Sequence, residues 1–450
     1  MYDKLGPKRN AALAVKFGRK MMKKTIIGAF VAATTLFTSV GMSFGDLLVP
    51  VMTYRVGPFA ANGTMNANGF VDYLTMLNER DGGIGGVKIK VEECETGYKA
   101  EKGVECYESY RGKNPLVHTP NSTGITLQIL AKAPEDKTPI LTMGYGLSAA
   151  AKGETFPWAF NYPTSYFSQM TSILKYIDGE TGLKGKKIGF IFLESGYGRE
   201  PIPVLEQLAP KFGFEFFLLP VAGKDAQNQS SHWLTVRKEK PDWMIMWGWG
   251  VMNPTAVKAA IKARYPLDRF VGNWWAAGDV DLAPVGEAGK GYKGSTFNAT
   301  GTDFPAVQDV IKYVVSKGLT KTEPDGPGSV LYNRALWNAA LIAEAIKTAQ
   351  DITGKKEING EDMRLGLENF VLDEARLAEL GFTGMVAPIS GSCKDHEGAG
   401  AAFIQQWDGK KWVKISDAIP PMKEIAQEML TKAAAQYASN NTGWTTQTCK

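Results

Sequence analysis

The chain has 450 residues, of which 44% are hydrophobic and 22% are charged, and its formal net charge is +5. Residues 1–45 contain eight Lys or Arg and a single acid, so residues 46–450 have a net charge of −2. The basic character therefore belongs to the start of the chain, and the remainder has no cationic surplus that would favour nucleic acid as a partner. The length of this remainder predicts two or three domains.

The N-terminal segment has the order of a secretory signal peptide. Within residues 21–45, two lysines precede an apolar stretch, and small residues follow it. This order predicts export with cleavage after Gly45, because the stretch is too short and too rich in Thr and Ser for a strong transmembrane helix. A membrane anchor is the alternative, and residues 1–20 are interpreted as an extension before the true start.

Four cysteines follow this segment, and an even number in an exported chain favours disulfides. Proximity in sequence favours Cys94–Cys106, which would close a short loop, and Cys393–Cys449, which would hold the C-terminus. This pairing is one of three connectivities, and four reduced, buried thiols are the alternative.

From residue 46 onward, short apolar runs alternate with amphipathic segments of helical length. The first series predicts strand 47–54, helix 70–80, strand 87–93, helix 99–111, strand 114–118, helix 124–133 and strand 139–144. The helices are predicted from apolar residues on one face, and the strands from alternating or continuous apolar runs. Strands that alternate with helices predict a parallel, doubly wound sheet.

A crossing rich in Pro and aromatic residues at 153–165 leads to a second α/β series. This series predicts helix 166–178, strand 186–194, helix 200–211, strand 214–221, helix 229–239, strand 242–249, helix 254–264 and strand 269–275. A second crossing, rich in Gly, Asp and Thr, is predicted at 278–304, and helices 305–318, 329–353 and 360–370 follow. Asp408-Gly409 predicts the turn of a hairpin over 401–416, after which we expect only a short tail.

Two doubly wound parallel-sheet lobes joined by several crossovers describe an α/β clamp. In open α/β sheets, ligands bind beyond the carboxyl ends of the strands, and both lobes of a clamp can direct those ends into one cleft. The segments that follow predicted strands are therefore candidates for the site, namely 55–63, 118–126, 143–151, 194–200, 247–253 and 273–279.

Three segments carry a resemblance to a known family. They are VGPFAANG at 56–63, the GGI turn with its flanking strand and helix over 77–110, and SGYG at 195–198. In this order, they resemble the first-strand loop, the N-x-x-GGI-x-G turn and the second-lobe Tyr-Gly of periplasmic substrate-binding proteins of ABC transporters, of the branched-chain amino-acid type. The resemblance covers residues 47–300, and the hairpin at 401–416 more loosely.

The resemblance implies a type I periplasmic-binding-protein clamp with two lobes, 46–160 plus 296–400 and 161–295 plus 401–450. It also implies a periplasmic location, reversible capture of a small molecule as the lobes close, and delivery of that molecule to ABC permease subunits. No chemistry on the ligand is expected, so we predict neither an enzyme nor a cofactor. CKDH at 393–396 lacks a second ligand pair of metal-site spacing, and we expect a monomer.

On the first lobe, the resemblance implies that three loops line the cleft. The loop and helix start at 120–124 is where the family holds the ligand carboxylate with hydroxyls and backbone N–H groups, although simple N-capping is the alternative. The loop at 143–150 is the second carboxylate-side loop, for which a structural turn is the alternative. The first-lobe candidates are Phe59, Asn62, Asn121, Ser122, Thr123, Tyr145, Gly146 and Ser148.

On the second lobe, two consecutive predicted strands end in pairs of tryptophans. The candidates there are Tyr197, Trp249, Trp274 and Trp275. Core packing is the alternative for every tryptophan, and it fits Trp243, Trp247, Trp337 and Trp407 better.

The second tryptophan pair bears on the class of ligand. In amino-acid-binding members of the family, the loop corresponding to 273–279 supplies an acid for the ligand's ammonium group. This chain has NWW at that place, and Asp279 lies a few residues beyond the position of the family's acid. Because an ammonium removed from water needs a partner, the sequence favours an aromatic or otherwise apolar carboxylate over an amino acid.

Two other classes of function remain open. The same clamp fold serves sensors, so a ligand-sensing periplasmic protein that works with a separate receptor is the alternative. An exported enzyme is disfavoured, because the sequence has no G-x-S-x-G elbow, no P-loop and no catalytic constellation.

Overall fold

The computed structural model describes residues 45–398 and 400–449. The predicted signal peptide lies outside this range, apart from Gly45. The described residues form an α/β structure with a parallel-sheet core, as predicted. Across these residues, no helix has both the length and the apolar character to cross a membrane.

The strands are numbered in chain order. They are β1 Leu47–Thr53, β2 Ile89–Glu95, β3 Ile140–Leu141, β4 Ala159–Phe160, β5 Lys187–Leu193, β6 Glu215–Val221, β7 Trp243–Trp247, β8 Phe270–Gly272, β9 Lys293–Thr296, β10 Val371–Leu372, β11 Ile389–Ser390, β12 Phe403–Trp407 and β13 Trp412–Lys414.

The α-helices are numbered in the same way. They are α1 Ala60–Asp81, α2 Ala100–Tyr110, α3 Thr123–Ile129, α4 Ala133–Asp136, α5 Tyr166–Thr181, α6 Gly196–Arg199, α7 Ile202–Phe212, α8 Ser230–Glu239, α9 Met252–Lys262, α10 Asp279–Leu282, α11 Pro305–Tyr313, α12 Val330–Thr353, α13 Gly360–Leu367, α14 Glu374–Glu379 and α15 Lys423–Asn440.

The first set of strands is parallel. β1 pairs with β2, and β3 pairs with β4. The predicted strand 114–118 is reduced to two isolated bridges, Val51 to Thr119 and His118 to Ile140, which connect these two pairs. Prolines at 115 and 120 flank this segment, and because proline cannot donate to a ladder, pairing is confined to the few residues between them. The resulting strand order is β2, β1, the segment at 118–119, β3 and β4.

The second sheet has seven strands in the order β13-β12-β9-β8-β7-β5-β6. Strands β6, β5, β7, β8 and β9 are parallel, whereas β12 and β13 form the predicted hairpin and pair antiparallel. The predicted crossing over 278–304 contains strand β9, which the sequence did not indicate. The sequence of β9, KGST, has no strand signal, yet all four residues are buried between β8 and β12. Tertiary burial therefore overrides local propensity here.

Several helix boundaries differ from the predictions. Helix α1 begins at Ala60 rather than at 70, because its first half is polar and contains glycines that give no amphipathic signal. These glycines serve close packing: a Cβ on Gly69 would lie 2.2 Å from the carbonyl oxygen of Tyr332 in α12. The predicted helix 124–133 is divided into α3 and α4.

The C-terminal segment is more than the short tail expected, because it contains α15. The indole N–H of Trp444 donates to the carbonyl of Thr155 (2.6 Å), and Ala434 packs in a cluster with Phe156 and Ile129. Both predicted disulfides, Cys94–Cys106 and Cys393–Cys449, are confirmed. The second one fixes the end of this segment to the loop at 393.

Candidate ligand-binding site

A narrow cavity lies beyond the carboxyl ends of strands from both sheets. Its walls contain five tyrosines, two tryptophans, two asparagines, a serine and a threonine, and none of these lining residues is charged. They are Tyr54, Asn66, Tyr98, Asn121, Ser122, Thr123, Tyr145, Tyr166, Tyr197, Trp249 and Trp275. An aromatic lining with a few polar groups is typical of a small-molecule pocket.

The strand ends of the second sheet position its part of the wall. Strand β7 ends at Trp247, so that Trp249 falls in the turn that follows, and β8 ends at Gly272 rather than at the predicted 275. The chain leaves β8 in a tight turn, in which the N–H of Ala276 donates to the carbonyl of Asn273 (2.9 Å). This turn places Trp275 in the cavity wall.

Trp249 and Trp275 form an aromatic corner. Their ring centroids are 5.4 Å apart and their planes are nearly perpendicular at 85°. Trp249 also meets Tyr54 edge to face at 6.4 Å, and Trp275 meets Tyr145 at 6.0 Å. These edge-to-face contacts are favourable, and they connect rings from the two sheets.

The other tryptophans of these strands are in the core. Trp247 and Trp274 are both 0% exposed, and Trp274 stacks on Tyr166 with centroids 5.5 Å apart. Trp274, a predicted site residue, therefore lies outside the cavity lining. Trp243, Trp337 and Trp407 are buried, in agreement with the core interpretation.

Tyr197 is held in the wall by its hydroxyl group. Ser195 caps the short helix α6, and the Tyr197 hydroxyl donates to the carbonyl of Gly248 (2.9 Å) and accepts from the Asn273 amide (2.8 Å). Its ring thus joins the loops that follow β5, β7 and β8. Burial raises the pKa of Tyr197 well above its ordinary value, so this tyrosine is neutral at neutral pH.

The polar wall is built around Asn121, whose φ of 51° is in the left-handed region that asparagine tolerates. Its side-chain amide donates to the carbonyl of Met52 (2.9 Å), and its backbone N–H donates to the hydroxyl of Tyr145 (2.6 Å). The Asn66 amide donates to the Asn121 side-chain oxygen (3.0 Å). This wall is therefore hydrogen-bonded within itself.

Ser122 and Thr123 both have structural partners. Ser122 is the N-cap of α3, where its hydroxyl accepts from the N–H of Ile125, as the alternative interpretation proposed. The Thr123 hydroxyl accepts from the N–H of Gly146 (3.1 Å), which connects the two predicted carboxylate-side loops. Gly146 thus supports the wall from behind.

Three further predicted residues also lie outside the lining, and two of them, Asn62 and Ser148, contact segments of the other predicted lobe. Phe59 packs on Tyr98 at 4.7 Å. The Asn62 amide donates to Asp281 (3.3 Å), and the N–H of Ser148 donates to the carboxylate of Glu200. Burial raises the pKa of Asp281 to about 7 and that of Glu200 to about 8.

Sequence reasoning missed four lining residues: Tyr54, Asn66, Tyr98 and Tyr166. Tyr54 follows β1 directly and falls one residue before the segment taken as the first candidate loop. Tyr98 has a φ of 63°, which is rare for an aromatic residue and is often found at functional sites. Asn66 lies in the polar half of α1 and Tyr166 opens α5; neither position carried a strand-end signal.

The aromatic corner contains a buried donor without a partner. The indole N–H of Trp249 has no hydrogen bond to any described residue, whereas the side chains of Tyr166 and Trp275 lie within hydrogen-bonding reach of each other. Buried polar groups are usually paired, so the Trp249 donor suits a ligand that presents an acceptor. No group of three or more His, Cys, Asp or Glu among the described residues is placed to hold a metal ion.

An uncharged aromatic cavity between two α/β layers is the design of a small-molecule binding protein, and comparisons with known proteins agree. The model of the periplasmic binding protein family matches residues 47–411. No curated protein matches the chain. A protein from the Pseudomonas fluorescens group, described as an ABC transporter permease, is 39% identical; the match covers 90% of this chain and 99% of that one, with a TM-score of 0.84.

More distant structures share the fold. A branched-chain amino-acid ABC transporter protein from Thermus thermophilus with bound valine is 19% identical, covers 86% of this chain and 99% of its own, and has a TM-score of 0.71. A solute-binding protein from R. palustris in complex with benzoate is 17% identical, with 84% and 97% covered and a TM-score of 0.65.

This chain belongs to the periplasmic binding protein family. It has the type I periplasmic-binding-protein fold, and it is a binding protein rather than an enzyme. Members of the family bind small molecules and work with ABC transporter permeases.

Proposed function

We propose that this protein is exported, captures a small aromatic or apolar carboxylate in the cavity, and delivers it to an ABC permease. The observation that carries the proposal is the composition of the cavity wall, with five tyrosines, two tryptophans and no charged side chain. Such a wall favours planar, apolar ligands through burial and ring stacking.

The absence of an acid from the lining argues against an amino acid. Two acids follow the second tryptophan pair, but both have other roles. Asp279 accepts from the N–H of Val330 (2.6 Å), and Asp281 accepts from the N–H of Gly278 (3.1 Å) and from Asn62. A ligand ammonium would therefore be buried without a carboxylate, which is costly.

The proposed arrangement assigns different groups to the two ends of the ligand. Ser122, Thr123 and nearby backbone N–H groups face the carboxylate, with Asn121 and Tyr145 behind them, whereas Trp249, Trp275 and Tyr197 enclose the apolar part. The fold itself accepts both kinds of ligand: valine is bound in the Thermus protein, and benzoate in the R. palustris protein.

Calorimetry with benzoate, p-hydroxybenzoate, leucine and valine tests the ligand class. We expect at least one aromatic acid to bind more tightly than either amino acid by tenfold or more. Tight binding of leucine with no binding of aromatic acids would overturn the proposal for the ligand class.

Capture is proposed to involve closure of two lobes, 46–160 plus 296–400 and 161–295 plus 401–450. Ligand then shifts the population towards the closed state, and small-angle scattering should record a smaller radius of gyration at saturation. An unchanged radius would contradict hinge closure. Uptake of labelled ligand by vesicles that contain the permease tests delivery.

A further inference from the structure

A buried arginine lies directly behind the aromatic corner. Arg334 of α12 is 0% exposed. Its guanidinium donates to the Asn298 side-chain oxygen (3.0 Å), to the Thr296 hydroxyl (3.1 Å) and to the carbonyl of Trp274. All of these partners are neutral.

The charge of Arg334 is therefore uncompensated at contact distance. Across the described part of the chain, no carboxylate lies within ion-pair distance of its guanidinium. Asp279 and Asp281 act on Arg334 from beyond that distance, and both are engaged with backbone N–H groups. Burial lowers the pKa of Arg334 to about 9, which still leaves it protonated at neutral pH. A buried cation without an anion is costly, so the position calls for a negative charge nearby.

The cavity is the place from which that charge can come. The Arg334 guanidinium carbon lies 5.0 Å from the ring centroid of Trp275, which lines the cavity, and 4.9 Å from that of Phe297. Arg334 itself is not in the lining. A ligand that packs on the other face of Trp275 would be separated from the guanidinium by the indole ring, a layer of low dielectric that screens the interaction less than water does.

We infer that Arg334 is a specificity-determining residue, which selects an anionic ligand over its neutral isostere through the Trp275 ring without touching the ligand. This inference rests on the proposed function, since it specifies how that same cavity prefers a carboxylate. The inference predicts the ratio between the affinities for a carboxylate and for its neutral isostere, because the charge of Arg334 acts on the charged ligand alone.

A purely structural role makes a different prediction. Arg334 also holds the carbonyl of Trp274, so its loss could misplace the loop that carries Trp275. Such a shift would weaken charged and neutral ligands of the same shape alike. The ratio of affinities for benzoate and benzamide therefore separates the two roles, and 4-methylpentanoate with 4-methylpentanamide provides a second, aliphatic pair.

The test measures these ratios by calorimetry at pH 8 for wild type, Arg334→Gln, Arg334→Lys and a matched control. The control is Arg364→Gln, because Arg364 also stacks on a tryptophan, Trp158 at 4.8 Å, but lies away from the cavity. We expect Arg334→Gln to lower the carboxylate-to-amide ratio by about tenfold or more. Arg334→Lys should stay within about threefold of wild type, and Arg364→Gln should leave the ratio unchanged.

A second variant keeps Arg334 in place and predicts the opposite sign. Asp281→Asn removes a buried negative charge that acts on Arg334, and at pH 8 that carboxyl is ionised in the wild type. We expect the carboxylate-to-amide ratio to rise by about two- to threefold. Damage to folding or to lobe contacts would not raise the ratio.

The outcomes separate the inference from the proposed function. Suppose that the wild type prefers the carboxylates. If Arg334→Gln then leaves the carboxylate-to-amide ratio unchanged, or if Asp281→Asn lowers it, the inference is overturned and the proposed function stands. An equal loss of ratio in Arg334→Lys and Arg334→Gln overturns it as well. If Arg334→Gln does not fold, the carboxylate-to-amide ratio of Asp281→Asn decides: a rise supports the inference, and an unchanged or lower ratio overturns it. A wild type that binds neither acid overturns both the proposed function and the inference.

Discussion

The two walls of the cavity differ in how their polar groups are used. On the first-sheet side, Asn66, Asn121 and Thr123 are hydrogen-bonded to one another or to neighbouring backbone, although the Asn66 side-chain oxygen is buried without a partner. On the second-sheet side, the indole N–H of Trp249 is buried without a partner. The first wall is thus a largely preformed polar frame, whereas the second is an apolar surface with a donor left for a ligand. The difference suggests that shape is fixed by one wall and that ligand class is decided by the other.

The largest effect is expected from the disulfides, one of which braces the first wall. Cys94–Cys106 closes a loop of 12 residues that contains Tyr98, whereas Cys393–Cys449 closes one of 56 residues. Replacing each pair by serine should lower the free energy of unfolding by about 3 and about 4 kcal/mol, respectively, from loop entropy. Ligand affinity should nevertheless fall more when Cys94 and Cys106 are replaced than when Cys393 and Cys449 are replaced. Urea unfolding and calorimetry measure the two quantities, and equal affinity losses would contradict the assignment of Tyr98 to the wall.

Trp275 tests the apolar wall. Trp275→Ala should weaken binding of an aromatic acid by about tenfold or more, because both buried area and ring stacking are lost. Trp275→Glu would place an acid near the family's ammonium site, so it should favour amino acids over aromatic acids. Trp444→Ala, in the C-terminal segment, is the matched control and should not change affinity. Unaltered binding in Trp275→Ala would show that the wall does not contact the ligand.

Ser122 tests the polar wall, because its hydroxyl caps α3 and is also proposed to contact the ligand. Ser122→Ala should lower the free energy of unfolding by about 1 kcal/mol through loss of the cap, and should weaken carboxylate binding by about three- to tenfold through loss of a hydrogen bond. Asn359→Ala removes the N-cap of α13 outside the cavity, and should affect stability alone. If both variants lose stability and neither loses affinity, Ser122 is only a cap.

The last prediction concerns the acids that join segments of the two predicted lobes. The pKa values of Asp281, about 7, and Glu200, about 8, lie above the value of about 4 for an unfolded carboxyl group. The folded chain therefore holds more protons than the unfolded one between these values, and the free energy of unfolding falls as pH rises through that window. Asp281→Asn and Glu200→Gln should each flatten the fall in Tm between pH 5 and pH 8. Asp408→Asn at the hairpin turn should not, since the pKa of Asp408 is lowered.

Some features follow from the sequence because their causes are local. The hairpin at 403–414 is specified by Asp408-Gly409, whose carboxylate accepts from the N–H groups of Lys410 and Lys411. The placement of Tyr197 and Trp249 just after strands follows from the apolar runs of β5 and β7, since a parallel sheet directs its carboxyl ends to one edge. The fold class and the family could be predicted for the same reason, as a series of local patterns in a given order.

Other features were decided only by the tertiary structure. The sequence WW at 274–275 does not say which indole enters the core; that depends on the turn at Asn273 after β8, which buries Trp274 on Tyr166 and leaves Trp275 in the wall. Strand β9 exists because β8 and β12 bury it on both sides, although KGST itself favours a turn. Arg334 follows Asn333 in a largely apolar helix and carries no sequence signal of its own. Its position behind Trp275 arises because α12 packs beneath the loop at 273–276, some 60 residues away in sequence, and long-range packing of this kind cannot be predicted from local patterns.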